Sequence, residues 1–343
     1  MGLSSTLAPR SGFHVSPSEE PHAKRRREIL AKVLSTYRRH TPVLTTLPQH
    51  PEIAELFAPD ARPVPLVVAI VFAQLAVAYC QMRYQWSWWT YLITCWAFGG
   101  TASHALSLMT HELSHNLVFQ TPIYNEYFGM FCNIGMGFPS ATMFKRYHIE
   151  HHQFQGDYSV DVDIPTPFEG NLCSTTLLKA CWVFFMPLVY GARPQHVRPK
   201  SHRSLDNINT VFILFTNYLV FLTCGPRGLL YLMLSTILGM GFHPLAGHFI
   251  SEHFVFVEGF ETYSYYGPLN ILTWNVGYHN EHHDFPRVPG WKLPLVRAAA
   301  PEFYDTLPSY SSWTMVLWDF ITDPAISPFS RVIRGAPTTD KED

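Results

Sequence analysis

Four long apolar stretches dominate the hydrophobic pattern of the chain. They cover residues 64–82, 88–110, 208–224 and 228–247, and each is near the ~20 residues that a helix needs to cross a bilayer. The third and fourth are separated only by the turn sequence Gly225-Pro226-Arg227-Gly228, which predicts a helical hairpin. The pattern therefore predicts about four transmembrane helices.

Three short histidine boxes accompany this apolar pattern. They read His111-Glu112-Leu113-Ser114-His115, His148-Ile149-Glu150-His151-His152 and His279-Asn280-Glu281-His282-His283. Histidines four residues apart share a helix face, so each box can direct two or three imidazoles at one point. Eight imidazoles exceed the ligands of one tetrahedral zinc site. They predict two neighbouring metal ions, and iron is favoured because imidazole suits it.

The position of the boxes also bears on a fifth apolar stretch, residues 172–190, which contains Lys179 and Pro187. All three boxes must lie on one side of the membrane to build one site. The 208–247 hairpin already supplies an even number of crossings between the second and third box, so the fifth stretch is expected in the membrane interface or inside the protein. Of 24 Lys and Arg, only Arg83 and Arg227 fall at the hairpin tips. This bias places both termini and all boxes in the cytosol.

The composition agrees with an all-α integral membrane protein that carries a cytosolic, histidine-lined helical cap. Charged residues make up only 15% of the chain, well below the usual quarter. The net charge of −2 gives no reason to expect nucleic acid, and the six cysteines lack the spacing of a zinc or disulfide framework. We expect a cytosolic N-terminal segment at 1–60, a membrane domain at 61–332 and a polar tail at 333–343.

Further residues near the boxes are candidates for completing the site. Ligating histidines commonly donate their second N–H to a carboxylate, and the candidate partners are Glu112, Glu150, Asp161, Asp163 and Glu281. His253, which follows the fourth apolar stretch, is the candidate ninth ligand, with His248 as the alternative. His104 lies seven residues before His111 on the same helix face, and we interpret it as a buried packing histidine.

Two other functions fit part of this pattern. His111 to His115 matches HExxH, in which two histidines hold zinc and a glutamate, here Glu112, activates water. A membrane zinc metalloprotease would, however, leave the second and third boxes unused. A metal transporter would place its polar residues near the bilayer midplane, whereas the boxes follow the ends of the apolar stretches.

The succession HxxxH, HxxHH and HxxHH on a four-span scaffold resembles the membrane fatty-acid desaturase and hydroxylase superfamily. Longer strings narrow the resemblance to the sphingolipid Δ4-desaturases, and they lie at 21–32, 144–148, 160–166, 261–270 and 275–286. The resemblance covers about residues 20–332. Residues 33–50 depart from it as an extra stretch ahead of the first span.

The resemblance implies a di-iron centre that uses O₂ to introduce a trans C4–C5 double bond into dihydroceramide (N-acylsphinganine), which gives ceramide. A C4-hydroxylase is the alternative, because both reactions begin at C4. The resemblance also implies cytochrome b5 and NADH-cytochrome b5 reductase as electron donors, in the endoplasmic reticulum membrane. The reaction attacks unactivated C–H bonds, which side-chain acid–base chemistry cannot break. An oxidising metal can break them, and this supports a metal centre.

The N-terminus carries two possible membrane signals. Met1-Gly2-Leu3-Ser4-Ser5-Thr6 matches the N-myristoylation pattern, which the resembling family shares, so we expect a myristoyl group on Gly2. The basic run Lys24-Arg25-Arg26-Arg27 indicates either a solvated helix face or a contact with anionic lipid of the cytosolic leaflet.

Overall fold

The computed structural model describes residues 12–16, 21–22, 24–25, 50 and 52–335. Gly2, most of the extra stretch 33–50 and most of the 333–343 tail lie outside these residues. The described part is mostly helical, with α1 (Glu52–Glu55), α2 (Val64–Tyr84), α3 (Trp88–Thr94), α4 (Thr101–Ser114), α5 (Pro122–Met136), α6 (Ala141–Gln153), α7 (Pro167–Leu172), α8 (Thr176–Val197), α9 (Ser204–Met240), α10 (Gly247–Ser251), α11 (His279–Asp284), α12 (Leu293–Ala299), α13 (Pro301–Tyr304) and α14 (Trp313–Thr322). Its strands are β1 (His14–Val15), β2 (Ser264–Tyr265), β3 (Ser309–Tyr310) and β4 (Val332–Ile333), which pair in parallel as β1 with β4 and β2 with β3.

Two of the described helices, α2 and α9, are long and apolar enough to cross a membrane. The helix α9 has 37 residues and combines the third and fourth predicted spans. Its two arms meet at Gly225, whose φ of 67° and ψ of 178° are non-helical and are accessible to glycine at little steric cost. The predicted end of the fourth span at residue 247 is wrong. The helix stops at Met240, because Gly241 leaves helical geometry and Pro244 cannot continue it.

The second predicted span appears as a composite helix. The helix α3, a π-helical turn at Cys95–Gly100 and α4 follow one another without interruption over 88–114. A π turn widens the helix locally and changes the direction of the side chains beyond it. The composite helix therefore runs past the predicted end at residue 110 and carries the first histidine box on its last turn.

The outer faces of α2 and α9 are apolar and exposed, while polar side chains lie between the helices. Phe72 is 60% exposed, Val211 67% and Leu214 61%. In the interior, the Tyr231 hydroxyl donates to Gln74 Oε1 over 2.6 Å, and Gln74 Nε2 donates to the Ser103 hydroxyl over 3.0 Å. This arrangement suits helices surrounded by lipid, which are joined by small and polar groups rather than by the hydrophobic effect.

The fifth apolar stretch belongs to α8, which packs into the core of the shorter helices. Its Trp182 ring lies 5.6 Å from the ring of Phe320 on α14. The buried Lys179 ammonium donates to the carbonyls of Asp323 and Ile326 over 2.6 and 2.9 Å. These bonds satisfy a charged group that would otherwise be costly to bury, and they tie α8 to the C-terminal helices.

Candidate metal centre

The ends of α4 and α6 and the short helix α11 bring the three boxes together. His111 lies on the last turn of α4, and His115 is the residue that follows that helix. The second box occupies the C-terminal half of α6, and the third box forms most of α11. Because helices have fixed side-chain directions, His152 and His282 point into one group of imidazoles while their neighbours His151 and His283 point into another.

The first cluster consists of His111, His115, His148, His152 and His282, with the ligand atoms all within 4.8 Å of one another. The Nε2 atoms of His115 and His148 are 2.9 Å apart, and those of His148 and His152 are 3.1 Å apart. The Nε2 atoms of His152 and His282 are also 3.1 Å apart. Five imidazoles from three elements of the fold thus meet at one point.

The second cluster consists of His151, His253 and His283, and His279 joins it. The Nε2 atom of His253 lies 3.0 Å from the Nε2 atoms of both His151 and His279. The ring centroids of His253 and His283 are 4.7 Å apart. The eight predicted box histidines and His253 are therefore divided between two adjacent clusters.

The spacing within both clusters fits metal coordination. Imidazole nitrogens bind such metals at about 2.1 Å, so two ligands at right angles on one ion are about 3 Å apart. In the described part of the chain, no hydrogen-bond partner faces the buried Nε2 atoms of His111 and His283. Buried nitrogens without partners are rare unless another group satisfies them. The donor set, all imidazole, suits iron, zinc or copper.

The electrostatics of the first cluster favour neutral imidazoles, which are the form that binds a metal. Burial, followed by repulsion from neighbouring histidines, lowers the pKa of His115, His148, His152 and His282 well below the ordinary histidine value. His151 differs, because the Asp161 carboxylate overcomes the effect of burial and raises the pKa of His151.

Two of the predicted carboxylates contact cluster histidines. His151 Nδ1 donates to Asp161 Oδ1 over 2.9 Å, and Asp161 Oδ2 accepts the Gly156 N–H over 2.8 Å. Glu112 Oε1 lies 3.3 Å from His111 Nδ1, while its Oε2 accepts the Gly290 N–H over 2.7 Å. Such bonds fix the tautomer that directs Nε2 towards a metal. With both oxygens occupied, Glu112 is poorly placed to activate water as the protease interpretation requires.

The other three predicted carboxylates have different partners. Glu150 accepts from Arg198 and lies 2.8 Å from both Arg198 and Lys200, and Asp163 forms an ion pair with Arg331 at 2.9 Å.

Glu281 accepts from the hydroxyls of Ser264 and Tyr266 over 2.8 and 2.7 Å. Burial raises the pKa of Glu281 to about 7. Glu150 and Glu281 sit beside ligands in the sequence, but the turn of the helix directs their carboxylates elsewhere.

Glu252 is a carboxylate partner that sequence reasoning missed. Its Oε1 accepts from His248 Nδ1 over 2.6 Å and lies 3.6 Å from His279 Nδ1. Burial raises the pKa of Glu252 to about 8. Its position next to His253 was the available signal. The nitrogens of His248, the alternative ninth ligand, are not among those that converge in either cluster. His104 is likewise a buried residue outside the clusters, and its Nδ1 faces the Gly239 carbonyl at 3.0 Å.

The N-terminal segment supplies a second support that the sequence did not reveal. The His22 ring lies 5.0 Å from the His283 ring, and His22 Nδ1 is 2.8 Å from Asp284 Oδ1. Arg25 Nε donates to Asp284 Oδ2 over 2.6 Å, and the Tyr304 hydroxyl donates to the same oxygen over 3.0 Å. The available signal was that His22 and Arg25 lie in the 21–32 string that resembles the desaturases.

The helical fold with exposed apolar faces and the paired histidine clusters together indicate a membrane protein with two candidate metal sites, and comparison with known proteins narrows this class. Residues 86–314 match the family model described as Fatty acid desaturase. The chain therefore belongs to the fatty acid desaturase family.

Three relatives make the family likeness more particular. The chain is 46% identical over 330 residues to the rat (Rattus norvegicus) protein named sphingolipid delta(4)-desaturase DES1, and the match covers 95% of each. Proteins of the same name from Drosophila melanogaster and Homo sapiens are 46% and 44% identical, each over 327 residues. The match to the fly protein covers 95% of this chain and 96% of that protein. The match to the human protein covers 95% of each. The resemblance to sphingolipid Δ4-desaturases is thus confirmed.

Proposed function

We propose that the protein is a sphingolipid Δ4-desaturase, which introduces a trans C4–C5 double bond into N-acylsphinganine. The single observation that carries the proposal is the pair of adjacent imidazole clusters in a chain that belongs to the desaturase family. The reaction balances as N-acylsphinganine, O₂, two electrons and two protons giving ceramide and two waters. It requires an oxidant and an electron supply, and it uses no side-chain nucleophile.

Two iron ions are the proposed cofactor. The first cluster, with its five histidines, would hold one ion, and His151, His253, His279 and His283 would hold the other. When bound, the pair would supply the oxidation of unactivated C–H bonds by O₂. The protein orients the ligands through Asp161 and Glu112 and keeps most of the imidazoles neutral by burying them.

The proposed arrangement in the membrane follows from the helices. The helix α2, the composite helix over 88–114 and the two arms of α9 would provide four crossings, with the histidine clusters beyond their cytosolic ends. Lipid substrates would reach the site from the bilayer. Both termini are proposed to lie in the cytosol, because positive residues are scarce at the opposite hairpin tips. The endoplasmic reticulum is the proposed location, as the resemblance to sphingolipid Δ4-desaturases implies.

Cytochrome b5 and its NADH-dependent reductase are the proposed electron donors. A groove of about 560 Å³ is lined by four basic side chains and one acid, namely Lys145, Arg146, Lys200, Arg203 and Glu150. Helical spacing places the lining residues of α6 on the side turned away from its histidines, about one helix diameter, ~10 Å, from the clusters. The four basic side chains pair with three carboxylates, those of Glu126, Glu150 and Asp206, which leaves a small net positive charge, and a surface of this kind suits an acidic electron carrier.

The proposal is tested by reconstituting the purified protein with cytochrome b5, the reductase, NADH and N-acylsphinganine. The expected product is mainly the 4,5-trans-alkene, and the His282→Ala variant should form none while remaining folded. His196→Ala, which changes an exposed histidine on α8, is the matched control and should keep its activity. Predominant 4-hydroxysphinganine product would favour the C4-hydroxylase instead, and product from His282→Ala would contradict the proposed site.

A further inference from the structure

Two buried histidines outside the metal clusters, His104 and His248, each have one nitrogen already engaged. His104 Nδ1 lies 3.0 Å from the Gly239 carbonyl, which can only accept, so Nδ1 carries the proton. In a neutral His104 the other nitrogen, Nε2, is then a hydrogen-bond acceptor. His248 Nδ1 is engaged by Glu252 Oε1 at 2.6 Å. His248 Nε2 accepts a hydrogen bond when Nδ1 carries the proton, and donates one when Glu252 carries it.

Neither Nε2 atom has a partner in the part of the chain that the structure describes. The Nε2 atoms of His104 and His248 are buried without a hydrogen-bond partner, and the two residues are 0% and 3% exposed. Their rings lie 4.8 Å apart and nearly perpendicular, and the two nitrogens do not bond to each other. Buried polar atoms of this kind are normally hydrogen-bonded, so the pair is open to a polar ligand.

A third histidine beside the pair provides an internal comparison. His243 Nδ1 accepts the Leu245 N–H over 3.3 Å, and its Nε2 lies 3.3 Å from the Thr101 hydroxyl oxygen. Both nitrogens of His243 are thus engaged, although its ring lies 6.4 Å from that of His104. With only two unpartnered nitrogens, this group offers too few ligands for a further metal site. The chemistry points to a polar ligand that donates a hydrogen bond to His104 and bonds to His248 in either direction, as a hydroxyl group can.

The position of the pair relates it to the clusters. His104 precedes His111 by seven residues on one helix, which is two turns or about 10 Å. On the other side, the Glu252 carboxylate that holds His248 is 3.6 Å from His279 Nδ1. A ligand bound at the pair is therefore near both clusters.

We propose that His104 and His248 bind the polar head of the sphingoid substrate, through hydrogen bonds with its hydroxyl groups or amide N–H, of which His104 accepts one. This inference rests on the proposed function. The C1 and C3 hydroxyls and the C2 amide of N-acylsphinganine lie only a few bonds from C4 and C5. A head held at the pair would hence fix the reacting carbons beside the clusters, which is how an enzyme selects one pair of carbons in a uniform chain.

The test compares N-octanoylsphinganine with three analogues that lack the C1 hydroxyl, the C3 hydroxyl or the amide N–H (an ester). Two readouts are used: kcat/KM for desaturation and the rise in thermal midpoint that each lipid causes in the iron-loaded protein. His104→Leu should lower kcat/KM for the parent lipid by about tenfold and reduce the thermal shift. One analogue lacks the group that donates to His104, and for this analogue the kcat/KM of His104→Leu should be close to that of the wild type. His104→Gln, whose amide oxygen can replace Nε2 as an acceptor, should restore part of the loss.

His243→Gln is the matched control, since it changes a buried histidine of the same group whose nitrogens are both engaged. The kcat/KM values and thermal shifts of His243→Gln should place the four lipids in the same order as those of the wild type. The inference is overturned if His104→Leu and His248→Leu also discriminate among the lipids as the wild type does, which would leave a buried water as the partner of the pair. If the iron-loaded wild type neither converts nor is stabilised by N-octanoylsphinganine, the proposed function itself fails.

Discussion

Replacing Asp161 by Asn tests whether this carboxylate supports the second cluster. Asp161 is buried, and its Oδ1 accepts from His151 Nδ1 and from the Asp163 N–H, at 2.9 and 3.0 Å. Its Oδ2 accepts from the Gly156 N–H at 2.8 Å. An asparagine side chain has one acceptor oxygen and one NH₂ group. In either orientation, at least one of the three donors would face the NH₂ group instead of an acceptor.

The size of the effect follows from the role of such partners. Loss of a hydrogen bond to a ligating histidine lowers metal affinity by about 10- to 100-fold, which corresponds to about 1.4–2.8 kcal/mol. The loss should be confined to the second cluster, because His151 is the cluster histidine to which Asp161 bonds within the described residues. When the Asp161→Asn protein is titrated with a chelator, about one iron per chain should be released at a lower chelator concentration than in the wild type. The other iron should be released at the wild-type concentration. Product formation should fall with the first iron released.

Glu150→Gln is the control, since Glu150 also neighbours a ligand in the sequence but bonds to Arg198 and Lys200. It should keep both irons at wild-type affinity. Wild-type iron retention in Asp161→Asn, or equal loss in the two variants, would refute the assignment of Asp161.

Three further predictions concern the metals and the N-terminus. His253→Ala should lose about half of the bound iron and all product, because its Nε2 is 3.0 Å from two other nitrogens of the second cluster; full iron content would exclude His253 as a ligand. Removal of iron with a chelator should abolish product and lower the thermal midpoint, and both should return with Fe²⁺ but not with Zn²⁺, whose rescue of activity would contradict an oxidising centre. Mass spectrometry of the N-terminal peptide should show a myristoyl group on Gly2 after removal of Met1, and an acetylated or unmodified terminus rejects this.

The sequence was informative about the fold wherever length and hydropathy decide the structure. The predicted span 64–82 corresponds closely to α2 (Val64–Tyr84), and Gly225 breaks α9 where the turn sequence indicated. The end at Met240 was missed because residues up to 247 remain apolar, and backbone geometry at Gly241 ends the helix. The π turn at Cys95–Gly100 was also missed, since it changes hydrogen bonding without changing the hydrophobic pattern.

The candidate site was predictable in its histidines and much less so in their partners. Helical spacing is enough to gather box histidines on one face, so the box residues and His253 assemble as two clusters. Hydrogen-bond partners depend instead on tertiary contacts. Asp161 reaches His151 through a loop, whereas Glu150, one residue before His151, points to Arg198. His22 meets Asp284 across 262 positions of the chain, which no local pattern can indicate.

The contact of His22 and Arg25 with Asp284 has a practical consequence for anyone expressing this enzyme. The first sixty residues precede the first span, yet two of them form part of the wall behind the third histidine box. A shortened chain that starts at the first span would leave the Asp284 carboxylate buried without its positive neighbour, which is a destabilising situation. Purification tags are better placed at the C-terminal end, and any trimmed version should begin ahead of His14, so that β1 also stays paired with β4.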